Sequence, residues 1–263
     1  MRILYLTAIG TDVFNDDRAR ILDAARRPDT DVDLISLPAD RPQHLEYHAY
    51  EAMIVPDIVR HAYAARDTYD AMVISCFYDP ALREAREISG NMIVTAPCES
   101  ATTIAKTLGN TFSIIVGQSK WIPKMRENVR LYGYDHALAS LRPIDVGVHD
   151  VHGANDTSER LLEVGRKCVE EDGAEALVLG CSAIFGFHET MQQELGVPVI
   201  DALQASFKYA EFLADTAQRF GWRPSRRWGN APPPDEEIAR WGLFSGTPPV
   251  GARAVAGGSS EPD

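Results

Sequence analysis

Two stretches of this 263-residue chain read as copies of one another, and each closes an apolar strand on a cysteine. The first is Tyr69-Asp70-Ala71-Met72-Val73-Ile74-Ser75-Cys76, the second Ala174-Glu175-Ala176-Leu177-Val178-Leu179-Gly180-Cys181. The register, an offset of 105 (181 − 76), holds past the thiols: Glu84 matches Glu189, Ala105 matches Ala210 and Leu108 matches Leu213. Each copy continues through a helical pattern, a second short apolar strand and another helix. A duplicated α/β unit of this kind is expected to fold as two lobes facing each other across a cleft, with one thiol on each wall.

Apolar runs predict strands at about 2–7, 31–37, 70–76, 92–96, 112–117, 143–148, 175–180 and 197–201. Helical periodicity fills most gaps, at about 15–27, 49–66, 80–89, 99–108, 121–132, 157–172, 187–195 and 202–219. The alternation predicts an α/β protein of two pseudo-symmetric lobes, each a mostly parallel sheet with helices on both faces. The first lobe is expected over about 1–105, with a helix at about 205–220 returning to it, and the second over about 106–204. Phe112-Ser113-Ile114-Ile115-Val116-Gly117 then opens the second lobe as Ile3 to Thr7 opens the first. From Arg223 the texture becomes Pro/Gly-rich, with one amphipathic piece at Asp235 to Leu243. Trp228, Trp241 and Phe244 predict a docked strap, and the Gly/Ser-rich stretch from Ala254 to Asp263 reads as disordered.

Composition excludes several classes of function. The formal charge of −12 argues against nucleic acid or an anionic membrane as partner. The tail from Arg223 is balanced, so the folded part carries the acidity. The N-terminal Met1-Arg2-Ile3-Leu4-Tyr5-Leu6 is a strand start with no signal-peptide core, and no apolar run approaches a membrane span, which predicts a cytoplasmic protein. The four cysteines, 76, 98, 168 and 181, show no Cys-x-x-Cys and no zinc-like spacing. Cys168 and Cys98 read as passive packing residues, the latter because its counterpart at the same offset is Leu203. His149-x-x-His152 reads as solvated loop histidines, and His188-Glu189 as a surface helix start. No Walker, Rossmann or kinase pattern appears.

Ligands of open parallel sheets bind outside the carboxyl ends of the strands, where Cys76 and Cys181 both lie. A following helix N-terminus would favour the thiolate. Two opposed thiols suit one reaction well: one removes a proton from a carbon, and the other returns it to the opposite face. Backbone N–H groups of Phe77, Tyr78, Ser182 and Ala183 would hold the oxygens whose charge grows as the enolate forms. Gly117-Gln118-Ser119 offers a further polar contact. Phe77, Tyr78, Trp121, Phe185 and Phe187 follow strand ends and either line an apolar pocket or pack its walls.

Ile74-Ser75-Cys76-Phe77-Tyr78-Asp79-Pro80-Ala81-Leu82 resembles the first cysteine motif of hydantoin racemases, in the aspartate/glutamate racemase superfamily. Leu179-Gly180-Cys181-Ser182-Ala183 resembles the second, and Gly196-Val197-Pro198-Val199-Ile200-Asp201 is similar to the strand after it. Leu37-Pro38, Leu45-Glu46-Tyr47, Tyr50-Glu51, Glu99 and Tyr132-Gly133 fit as well. The resemblance spans about residues 1–220. It implies a pyridoxal-independent racemase that needs no cofactor or metal, acts on 5-substituted hydantoins or the ureide allantoin, and is often a homo-oligomer. It assigns Cys76 and Cys181 as the catalytic bases. Many members place an Asn-Pro-Asn turn against the substrate ring where this chain has Thr7-Ala8-Ile9-Gly10, which puts Thr7 and Ile9 among the expected contacts. Tyr78 replaces an acid, and Ser182-Ala183 replaces Ala-Gly. Racemases of free amino acids usually follow the second cysteine with Thr and a catalytic His or Glu, absent here. A decarboxylase or cis–trans isomerase on the same fold, or a non-catalytic binding protein, are the competing readings.

Overall fold

The computed structural model of the chain describes residues 1–153 and 156–257. Strands β1 (Arg2–Thr7), β2 (Asp31–Ser36), β3 (Ala71–Ile74) and β4 (Ile93–Thr95) alternate with helices α1 (Asn15–Ala25), α2 (His48–Ala65), α3 (Leu82–Ile88) and α4 (Pro97–Leu108). The same pattern then recurs. β5 (Phe112–Val116), β6 (Leu138–Pro143), β7 (Ala176–Leu179) and β8 (Val199–Asp201) alternate with α5 (Ile122–Leu131), α6 (Thr157–Glu170), α7 (His188–Leu195) and α8 (Ala202–Phe220). The tail adds α9 (Asp235–Trp241) and β9 (Arg253–Ala256).

The first sheet runs β4-β3-β1-β2-β9 and the second β8-β7-β5-β6. Without β9 the two have one topology, and every pair among β1–β8 is parallel. β3 and β7 share both boundaries at the 105 offset, and α4 and α8 share their first residue. The duplication read from sequence is therefore a duplication of strand order.

Alternation within the second sheet shows why its strands are apolar throughout. Ile114, Val116, Val178 and Ile200 face a cluster with Cys98, Ala101, Ala105, Met125 and Val129 of α4 and α5. Their neighbours Ile115, Leu177, Leu179 and Val199 face Leu161, Cys168 and Met191 of α6 and α7. Helices thus cover both faces, which a parallel sheet requires.

The chain divides into two compact units that cut across its linear halves. One holds residues up to Ser75, Pro80–Thr95 and everything from Phe207; the other holds Cys76–Asp79 and Ala96–Ser206. Helix α4 follows β4 of the first sheet but packs on β5, β7 and β8 of the second. Most of α8 belongs with the first unit, where the Glu211 carboxylate accepts the Arg27 N–H at 2.9 Å. The sequence boundary near 105 differs from this division, because the helix after each fourth strand leaves the sheet that precedes it.

The sixth strand forms at Leu138–Pro143 rather than the predicted 143–148. Its residues are mostly half-buried, as an edge strand's are, so the apolar signal was weak. Beyond it, Ile144 and Val146 are buried as loop residues whose N–H groups reach Val116 and Gly117 carbonyls at 2.9 Å.

The tail is a strap on the first unit. Arg226 donates to the Arg86 and Glu87 carbonyls and the Ser89 hydroxyl, closing the C-terminal end of α3. Phe244 stacks on Tyr63 at 4.1 Å, and His61 Nε2 donates to the Pro249 carbonyl at 2.9 Å. Trp228 and Trp241 were expected to dock but are exposed. The predicted disorder from Ala254 is also corrected: Arg253–Ala256 pairs antiparallel with the open edge of β2. Residues 258–263 lie outside the described residues.

Candidate active site

Cys76 and Cys181 close two turns of the same construction. The residue before each donates its N–H across the sheet, Ser75 to Leu6 at 2.8 Å and Gly180 to Ile115 at 2.7 Å. Each cysteine carbonyl then accepts an N–H three residues on, from Asp79 and from Ile184, both at 2.9 Å. Asp79 and Ile184 are themselves related by the 105 offset. Gly180 is dictated by packing, since a Cβ there would lie 2.5 Å from Ile114 Cγ2 and 2.9 Å from the Ile115 carbonyl.

The turn after Cys76 is tied into the second unit. Phe77 and Tyr78 are buried in the α4–α5 cluster, and Cys76 packs against it. Asn128 Nδ2 of α5 donates to the Tyr78 carbonyl at 2.7 Å. The buried Asp79 carboxylate accepts the Cys98 N–H at 2.8 Å, the Glu99 N–H at 2.9 Å and the Tyr132 hydroxyl at 2.8 Å. Pro97 opens α4, so the two backbone donors are first-turn N–H groups that no residue within the helix satisfies. Asp79 takes the strained left-handed backbone region at φ +50° to make this reach. Burial pushes its carboxyl up to about 7, opposed by the three donors.

The turn after Cys181 is held in a mirrored way. Asp201, the last residue of β8, accepts N–H groups from Leu203 at 2.9 Å and Gln204 at 3.3 Å at the start of α8. Its other oxygen accepts the Gly186 N–H at 3.2 Å, five residues past the thiol (186 − 181). Burial raises its carboxyl above the usual range, against the N–H donors and nearby His188. His152 Nε2 donates to the Ala183 carbonyl at 2.8 Å, and its ring lies 4.4 Å from Phe185 and 5.7 Å from Phe187. The Ala183 N–H points at Cys181 Sγ, 3.4 Å away.

Several expectations change at this point. Cys76 follows β3 of the first sheet and Cys181 follows β7 of the second, and both side chains pack against one cluster of the second unit. The helices start at Leu82 and His188, close to the predicted 80 and 187 but six and seven residues past the thiols, so the near donor at Cys181 is a turn N–H. Ala183, expected to hold a substrate oxygen, spends its N–H on sulfur. Ser182 is buried. Thr7 and Ile9 are buried in the first unit, where Arg18 Nη1 donates to the Thr7 hydroxyl at 3.2 Å. Gly117 directly follows β5 and has no room for a side chain, because the Trp121 ring would lie 2.5 Å from a Cβ. Gln118 is half-buried, and its carbonyl accepts the Trp121 N–H at 3.0 Å.

Cys98 is fully buried, and burial raises its thiol well above the ordinary range. Cys168 is buried as expected, its thiol raised by burial. His152 is exposed on one side, as a solvated histidine would be, yet its ring is bound to the turn after Cys181. His188 is mostly buried, with Nδ1 3.7 Å from Asp201 Oδ2, so it is no surface group. Among the described residues, no three His, Cys, Asp or Glu side chains gather as a metal site, and no helix is long and apolar enough to cross a membrane. Asp79 and Asp201 were missed as site residues. An acid directly before a helix, as at Asp201-Ala202, is a cap signal that sequence does carry.

The family model for Asp/Glu/Hydantoin racemase matches residues 7–210. The chain belongs to this family. A hydantoin racemase of Rhizobium meliloti is 36% identical over 183 residues, covering 68% of this chain and 74% of that protein. A hydantoin racemase of Paenarthrobacter aurescens is 32% identical over 81% of this chain and 91% of its own. Among solved structures, the allantoin racemase from Klebsiella pneumoniae superposes with a TM-score of 0.81 at 27% identity, covering 89% of this chain and 94% of that one. The chain is thus an isomerase of the racemase type, built on the two-lobe α/β architecture of this family.

Proposed function

We propose that Cys76 and Cys181 are the two bases of a cofactor-independent racemase acting on 5-substituted hydantoins or related cyclic ureides. The observation that carries this is the matched pair of turns, which presents one half-buried thiol at the carboxyl end of β3 and one at that of β7. One cysteine, as thiolate, takes the proton from the stereocentre, and its electron pair moves into the adjacent carbonyl to give an enolate. The other, as thiol, returns a proton to the opposite face. The thiolate and thiol have then exchanged places, and the reverse reaction uses them in the opposite order. The Ala183 N–H stabilises negative sulfur at Cys181. Backbone N–H groups of Phe77, Tyr78 and Ser182, with Gln118, remain the candidates for the substrate oxygens. A homo-oligomer in the cytoplasm is part of the same proposal.

Cys76→Ser and Cys181→Ser test it. Each variant should lose racemisation while keeping its circular dichroism spectrum, because a hydroxyl is a far weaker acid than a thiol. Each should retain solvent deuterium exchange into one enantiomer only, the two variants taking opposite enantiomers. Near-normal racemisation by either would refute the two-thiol reading. Allantoin is the second substrate reading, favoured by the likeness to a solved allantoin racemase.

A further inference from the structure

We infer that Asp79 and Asp201 are positioning residues, one for each thiol: Asp79 fixes the turn of Cys76, and Asp201 fixes the turn of Cys181. The inference deepens the two-thiol reading and rests on it.

Both carboxylates are buried, and each joins a cysteine turn to the first turn of the helix that follows the next strand. In the first copy the carboxylate lies on the turn itself. Asp79 reaches the N–H groups of Cys98 and Glu99 at the start of α4, and Tyr132 closes the group from the end of α5. In the second copy the carboxylate lies on the helix side. Asp201 takes Leu203 and Gln204 N–H groups of α8 with one oxygen and reaches back to the Gly186 N–H with the other. The related helices α4 and α8 are thus used in the same way by acids at unrelated positions. The same mechanical link was built twice from different residues.

The physical consequence is local. Displacement of a catalytic atom by about 1 Å costs up to about a hundredfold in rate. Asp79 accepts on both oxygens. An asparagine there would place its amide N–H against the backbone N–H of Cys98 or of Glu99, releasing one end of the link. Asp201 uses both oxygens too. Neither acid is assigned contact with the substrate.

The test separates the thiols by using each alone. In the Cys181→Ser background, where Cys76 is the remaining base, Asp79→Asn should slow deuterium exchange into 5-benzylhydantoin by about tenfold or more. In the Cys76→Ser background the same substitution should slow exchange several-fold less, since the Cys181 turn has its own acid and only the Phe77 and Tyr78 N–H groups are disturbed. Asp201→Asn should give the reverse pattern. The loss should fall more on kcat than on KM. Tyr132→Phe, which removes one of the three donors to Asp79, should give a weaker effect in the direction of Asp79→Asn and guards against misfolding of the asparagine variant. Equal slowing in both backgrounds, or none in either, overturns the inference while leaving the two-thiol reading intact. If the single serine variants show no one-sided exchange, the two-thiol reading falls, and this inference with it.

Discussion

The Tyr132 hydroxyl donates to Asp79 Oδ2 at 2.8 Å, joining the end of α5 to the turn that carries Cys76. Tyr132 is held neutral, its phenol raised by burial first and then by the Asp79 charge. Asp79 is the titrating partner, pushed by burial from an ordinary 3.8 up to about 7. Between those limits the unfolded chain has lost this proton and the folded chain keeps it. Stability contributed by Asp79 is therefore fully present below about pH 4, declines as pH rises toward about 7, and is flat above. Urea unfolding of the wild type and Asp79→Asn at pH 5 and pH 8 should show a steeper decline in the wild type, since Asp201 is raised by burial in both proteins. An identical pH slope in both proteins would remove Asp79 as its source.

Thiol reactivity should divide the four cysteines into two classes. Cys98 and Cys168 are buried with their thiols raised by burial, whereas Cys76 and Cys181 are half-buried and Cys181 receives the Ala183 N–H. Iodoacetamide at pH 7 should label Cys181 at least about tenfold faster than Cys168. A bound hydantoin should protect it. Mass-spectrometric mapping that finds all four equally inert would count against a thiolate at this site.

Gly180→Ala should damage the second turn from inside the sheet. The new methyl would meet Ile114 Cγ2 at 2.5 Å and the Ile115 carbonyl at 2.9 Å, so β5 and β7 must part or the turn must shift. Overpacking of this kind costs about 1–3 kcal/mol. Ser75→Ala, at the related position, only removes a hydroxyl that donates to Tyr5 at 3.1 Å and should cost less. Thermal melts of the two variants compare them directly, and equal losses would mean that the close approach at Gly180 is not limiting.

The duplication was legible because β3 and β7 are buried on both faces, so their residues are apolar without interruption. The thiols were legible because each stands where such a run stops. The carboxylates were not. Asp79 finds its partners 19, 20 and 53 positions away, and nothing in Asp79-Pro80 announces a reach of that kind. Nor was the place of α4 in the second unit, since its apolar stripe would suit either sheet, although the helix at about 205–220 was expected to return to the first. β9 escaped notice for a related reason. Four residues of mixed exposure become a strand only because β2 offers an unpaired edge.

The rings beside the thiols predict a preference among substrates. Phe77, Tyr78 and Trp121 are buried in the cluster against which Cys76 and Cys181 pack, and Phe185 is buried in the turn after Cys181. The chain has Thr7-Ala8-Ile9-Gly10 where the family resemblance led to an expected Asn-Pro-Asn turn, and Thr7 is already engaged by Arg18. Surroundings of this character should favour an apolar or aromatic 5-substituent over the polar ureido group of allantoin. Burying one such side chain contributes about 1.5–3 kcal/mol. We therefore expect at least about a tenfold higher kcat/KM for 5-benzylhydantoin than for allantoin under identical conditions, followed by polarimetry. A preference for allantoin would make these rings wall packing alone. If neither compound racemises, the two-thiol chemistry belongs to another carbon acid, and exchange at that acid's stereocentre becomes the measurement that decides it.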